Sequence, residues 1–208
     1  MLNWTAQIGC AGACFLCTMN EQLNIWPPHE VFYIESMLAV TRMAMAGLSQ
    51  LQYCLDELDA GKKIDDNRVL DLVQQLIGNA GALSRYFWPS SKEAVHVHRS
   101  EKLKAAFGIK EENPLKDRKV RNFMEHFDEN LDDYLAKMLS GVIIPSYVGN
   151  KPEANGEQRP DFFRAYYIRE STFCVLGLEY DIMPIVYELN ELHKQLIKTN
   201  HEGGRLPS

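Results

Sequence analysis

The amino-acid sequence predicts a mainly α fold, a helical bundle of about five helices with a small antiparallel β appendage near the C-terminus. Three observations carry that expectation. Apolar residues recur at three- and four-residue steps through five segments, each bounded by capping or helix-breaking residues. Between residues 142 and 179 this period gives way to short extended runs rich in β-branched and aromatic residues. With 208 residues and 46% apolar content, the chain can bury a core of its own as one domain. The expected organisation is an apolar N-terminal segment over 1–26, a single bundle over 27–200 with the β appendage at about 142–179, and a disordered tail over 201–208.

Residues 1–24 are unusually apolar and read as an appendage or an oligomer contact. Within them Cys10, Cys14 and Cys17 form C-x3-C-x2-C, a spacing that radical-SAM enzymes use to hold an iron-sulfur cluster. Such enzymes alternate strands and helices, and the roughly 110 residues that follow here do not. The same three positions lie at i, i+4 and i+7, along one helix face. Five cysteines, an odd number, read as reduced thiols.

Pro27-Pro28 opens a long helix from about His29 to Asp59, with Val31, Ile34, Leu38, Met45, Leu48, Leu51, Leu55 and Leu58 facing inward. Its Met- and Ala-rich stretch from Met37 to Met45 suits close helix packing. Asp65 or Asp66 caps a second helix to about Phe87, which Tyr86, Phe87 and Trp88 end as an aromatic plug. Ser91 starts a third, to about Phe107, closed by Gly108. This helix contains Glu93-x-x-His96, half of a carboxylate-bridged di-iron signature, and the chain has no second copy. No metal or cofactor is therefore expected. Further on, Val142 to Val148, Ala165 to Arg169 and Thr172 to Glu179 read as two or three strands around a polar loop at 149–160. A last helix spans Asp181 to Thr199, with His193 on its surface.

The fourth segment, Lys116 to Leu139, combines the strongest helical pattern with the one compact polar constellation. Val120, Phe123, Met124, Phe127, Leu131, Tyr134, Leu135 and Met138 form its apolar stripe. On an ideal helix Arg121 and His126 fall on opposite shoulders of the polar arc, roughly 140° apart, with Asn122 and Glu125 between them. The sequence Arg121-Asn122-Phe123-Met124-Glu125-His126 is R-N-x-x-x-H, and in this it resembles the HEPN superfamily of small helical-bundle proteins. The resemblance implies a metal-independent endoribonuclease, of the kind found in toxin-antitoxin and defence systems, whose site is completed by pairing two motifs across a homodimer. By that resemblance Arg121 holds the scissile phosphate, His126 acts as general acid or base, and Asn122 orients one of them. Glu125 has no counterpart.

The chemistry is self-consistent. Cleavage by the 2'-hydroxyl needs a proton taken, a proton given, and cationic donors on the phosphorane oxygens. An imidazole that titrates near neutrality and a planar guanidinium supply these. His96 and His98, with Arg99, Lys102 and Lys104, extend the same idea as a groove lining near Arg121. The alternative is a non-catalytic helical dimer or partner-binding module using the same polar face; under either reading an antitoxin or other protein is a candidate partner. A net charge of -6 argues against a broad grip on duplex DNA and permits a small RNA site. The sequence holds no run of about 18 apolar residues and no basic secretory n-region, so no membrane contact and a cytoplasmic location are expected.

Overall fold

The computed structural model describes residues 25–137, 141–153 and 160–207, without the side chains of Val120, Arg121 and Met124. The cysteine triplet of residues 10, 14 and 17 lies outside the described residues. The architecture is mainly α, with a small sheet near the C-terminus.

A 3-10 turn, Pro27–His29, leads into helix α1, Glu30–Asp59. The two prolines fix φ at the start of the turn, where a missing N–H costs nothing. The inner face of α1 buries Ile34, Met37, Leu38, Thr41, Ala44, Gly47, Leu51 and Cys54. Small residues enter this set because a neighbouring helix comes close; a Cβ on Gly47 would lie 3.7 Å from the Gln75 side chain. Of the residues expected inside, Val31 is instead exposed, while Met45, Leu48, Leu55 and Leu58 are half-buried. By length and composition 27–59 could cross a membrane, but its inner apolar face is the protein core.

Helix α2 spans Asp66–Phe87, and the Asp65 carboxylate accepts from the Asn67 amide at 3.1 Å as its N-cap. Helix α3, Ala94–Phe107, ends at Gly108, whose φ of 63° is the left-handed conformation that glycine adopts without a steric penalty. Phe87 and Trp88 close the end of α2 against each other, with ring centroids 5.9 Å apart.

The expected continuous helix from Lys116 to Leu139 is interrupted. A 3-10 turn, Pro114–Lys116, precedes α4, Lys119–Glu125, and α5 is Phe127–Leu135. His126 stands between them at φ -113° and ψ 41°, outside the helical region. Asn130 stabilises the break, since its side-chain amide donates to the Phe123 carbonyl at 3.1 Å and the His126 carbonyl at 2.7 Å. The change of direction lets Phe127 meet Phe163 edge to face at 5.5 Å.

The β region also departs from expectation. It has four strands, β1 (Ile143–Gly149), β2 (Asp161–Tyr167), β3 (Thr172–Val175) and β4 (Leu178–Asp181), in that spatial order. β1 runs parallel to β2, while the β2–β3 and β3–β4 pairs are antiparallel, so the sheet is mixed. Nor is it an appendage. Tyr166, Phe173, Val175 and Leu176 belong to the same core as α1 and α2. Arg164 further ties β2 to α2, with Nη1 at 2.7 Å from Asp71.

Helix α6, Met183–His201, packs Ile185, Leu189, Leu192 and Leu196 into that core beside α1. His193 is half-buried rather than a free surface residue. His193 Nδ1 is hydrogen-bonded to the Thr41 hydroxyl at 2.8 Å, and Thr41 Oγ1 also lies 3.2 Å from the Leu38 carbonyl. Burial, and then the charge of Arg42, hold the His193 pKa below its usual value. Residues 202–207 are likewise anchored rather than a disordered tail. Arg205 Nε and the Leu206 amide donate to the Glu30 carboxylate at 2.8 and 3.0 Å. Gly204, at φ 68°, brings the backbone so near Val31 that a Cβ would sit 3.2 Å from it.

Candidate functional site

The polar constellation singled out in the sequence sits where α4 meets α5, against the C-terminal half of α2. Asn122 and His126 are joined through the backbone, the His126 amide donating to the Asn122 carbonyl at 3.1 Å, which keeps both within one helical turn. Both side chains are exposed. The ideal-helix angle between Arg121 and His126 does not carry over, because His126 no longer has helical dihedrals. Arg121 lies on α4, and its side chain is outside the described residues.

Two carboxylates flank His126. Glu129, one turn into α5, places Oε2 3.5 Å from His126 Nδ1. A carboxylate on Nδ1 favours the tautomer with Nε2 unprotonated, the nitrogen that accepts a proton in general-base chemistry. Glu125, immediately before His126, pairs with Arg85 of α2 across 40 residues of sequence. Arg85 and Glu125 form one wall of a shallow cavity of about 210 Å³, floored by Gly78, Gly81 and Ala82. A Cβ at Gly78 would meet open space on this side of α2.

Further guanidinium groups gather at this end of α2. Arg99 Nη2 donates to the Arg85 carbonyl at 3.2 Å, and Arg118 donates to the Trp88 carbonyl. Cations beside helix-terminal carbonyls also satisfy the negative end of the helix dipole, so these contacts stabilise α2 in their own right. His96 Nδ1 lies 3.5 Å from Arg99. Of the five residues expected to line a groove near Arg121, Arg99 thus contacts the Arg85 backbone and His96 contacts Arg99. Lys102 is committed elsewhere, to Glu30 at 2.9 Å, whereas Lys104 pairs with Glu111 at 2.7 Å while its Nζ lies 5.1 Å from the Trp88 ring centroid at the end of α2. The His98 ring contacts the Ala94 carbonyl at 2.8 Å on its own helix.

Arg85 and Glu129 were not singled out from the sequence. Glu129 could have been, as a carboxylate three residues after the histidine on the same face. Arg85 could not, since only the packing of α2 on α4 brings it there. Among the described residues no three His, Cys, Asp or Glu side chains converge in a metal-binding arrangement, and His96 and Glu93 form only a loose pair at 3.8 Å.

Fold and site together define a mainly α bundle with a small mixed sheet, carrying an exposed Asn-His pair flanked by carboxylates and guanidinium groups. No protein-family model, curated protein or solved structure matches the chain.

Proposed function

We propose that the protein is a HEPN-like, metal-independent endoribonuclease, with Arg121, Asn122 and His126 as its catalytic residues and two copies of the chain as its working form. The observation that carries this reading is the setting of His126. It is exposed at a helix junction, its Nδ1 faces Glu129 at 3.5 Å, and Asn122 lies one turn before it.

In the proposed reaction His126 takes the proton of the 2'-hydroxyl, whose oxygen attacks the adjacent phosphorus. The bond from phosphorus to the 5' oxygen breaks, leaving a 2',3'-cyclic phosphate on one fragment and a 5'-hydroxyl on the other. Arg121 neutralises the phosphorane oxygens, and Asn122 orients the phosphate or the imidazole. The leaving oxygen needs a proton as well, which the second histidine of a dimer supplies. Arg85 adds a guanidinium near the motif once an RNA phosphate competes with Glu125 for it.

The test is cleavage of single-stranded RNA by the purified full chain in EDTA. His126→Ala and Arg121→Ala are each expected to lower the rate by about 100-fold or more, the usual range for acid-base and oxyanion groups. Glu129→Gln is expected to lower it about tenfold, as an orienting carboxylate does. Cleavage that persists unchanged in both His126→Ala and Arg121→Ala, with folding intact by circular dichroism, overturns the reading.

A further inference from the structure

An open groove of about 590 Å³ lies where the C-terminal half of α1 faces the start of α6 and the turn between β2 and β3. Its volume falls in the range of small-molecule pockets. The part of α1 that lines it has two unlike sides. At about 100° per residue Leu48, Leu51 and Leu55 fall within one arc of roughly 60°, and Ser49, Tyr53 and Asp56 within a second arc of the same width, with Gln52 between them. Ile182 and Val186 continue the leucine wall on the α6 side. The groove is therefore apolar along one wall and polar along the other. From Ser49 to Asp56 the polar wall runs roughly 10 Å at 1.5 Å per residue.

Among the described residues, Asp56 is the one charged side chain that lines the groove. Gln52 Nε2 donates to Asp56 Oδ1 at 2.8 Å and so orients the carboxylate, and no cation pairs with it among the described residues. The helix end strengthens the negative potential there. The last turn of α1 holds no basic residue to meet the negative pole of the helix dipole, and Lys62 just beyond it is held by Glu57 at 2.7 Å. Tyr53 stands three residues before Asp56, so its ring and the carboxylate share one helix face. A carboxylate with an aromatic ring beside it is a setting that attracts an ammonium ion. On the opposite wall the Tyr166 hydroxyl is hydrogen-bonded to Ser171, and burial raises its pKa, so that wall stays neutral.

We propose that this groove binds a small amphiphilic amine, its aliphatic or aromatic body against the leucine wall with Ile182 and Val186, and its ammonium group between the Asp56 carboxylate and the Tyr53 ring. Charge decides among ligands of this size. A fatty-acid-like anion would bring its carboxylate to a lining that holds an acid and no base, which costs affinity. A neutral alcohol gains the apolar contacts and leaves Asp56 without a counter-charge. Only a cation uses both walls. The proposal goes beyond the ribonuclease reading and is independent of it, because none of Arg85, Asn122 and His126 lines the groove.

Calorimetric titration of the full chain at neutral pH and low salt, with three probes of one chain length and different head charge, tests this. n-Octylammonium is expected to bind about five- to tenfold more tightly than 1-octanol, and n-octanoate more weakly than the alcohol. Asp56→Asn should bring the amine down to the affinity of the alcohol and leave the alcohol unchanged, with an unaltered circular-dichroism melt because Asp56 is exposed. Ser49→Trp, at an exposed position on the polar wall, places an indole in the groove and should weaken both amine and alcohol about tenfold or more. The proposal is overturned by equal binding of amine and alcohol, by octanoate binding as tightly as the amine, or by no binding of the amine at about 1 mM. It is equally overturned by an amine preference that survives Asp56→Asn, or by amine binding that Ser49→Trp leaves unchanged, which would put the cation elsewhere on an acidic protein.

Discussion

Glu30 joins parts of the chain that are remote in sequence. Its carboxylate is buried at the start of α1 and receives Lys102 from α3 at 2.9 Å, Arg205 at 2.8 Å and the Leu206 amide at 3.0 Å. Burial pushes its pKa up, and the hydrogen bonds from Arg205, Lys102 and Leu206 outweigh that, so the folded value lies below that of an ordinary glutamate. A carboxylate with a depressed folded pKa contributes stability that is present above about pH 4.5 and is lost as pH falls through the folded value. Thermal melts between pH 6 and pH 3 should therefore show the wild type losing its advantage over Glu30→Gln on acidification. Parallel curves would contradict this. At neutral pH, Glu30→Ala should cost about 2 kcal/mol, modest for a buried acid because Lys102 and Arg205 can regain water. None of this was legible in the sequence. A Glu in the first turn of a helix reads as a dipole partner, and its real partners lie 72 to 176 residues away. His193 was misread for the same reason, since its hydroxyl partner is 152 residues distant.

At the scale of elements, the helices with strong punctuation were read closely and the strand pairing was not. Asp65 and the aromatic cluster ending at Trp88 bound α2 where expected, and Gly108 ends α3. These signals are local and act through backbone conformation, so a single sequence displays them. The break at His126 depends on an asparagine amide taking over a freed carbonyl, which apolar periodicity does not reveal. The extended runs around the polar loop at 149–160 read as a small antiparallel appendage, and parallel strands usually need a crossover of about a dozen residues or more. The two strands nevertheless pair in parallel, in register from Ile143 with Asp161 to Gly149 with Tyr167. Integration of the sheet with the helices makes a stability prediction. Phe173 on β3 is fully buried in the main core, so Phe173→Ala should cost about 3–5 kcal/mol and lower the melting of the whole domain in one transition. A separate low-temperature transition of the sheet alone would contradict a shared core.

For the whole molecule, the mainly α class was legible, because amphipathic periodicity over long segments follows from the need to bury one face. The candidate site was legible only as the order Arg121, Asn122, His126. Its surroundings, Arg85 from α2 and the junction that presents His126, come from packing. The N-terminal half of the domain contributes the Arg85 wall. The C-terminal half supplies the sheet, which supports α5 through Phe127 on Phe163 and Tyr134 on Asp161 at 3.4 Å. Thus the fold holds the α4–α5 junction at the surface from two sides. The ribonuclease proposal asks that this junction meet a phosphate. End-group analysis of single-stranded RNA incubated with the full chain in EDTA tests it most directly. Fragments ending in 2',3'-cyclic phosphate and 5'-hydroxyl, formed by the wild type and not by His126→Ala, are the predicted result; 3'-hydroxyl and 5'-phosphate ends, or equal cleavage by His126→Ala, would contradict it.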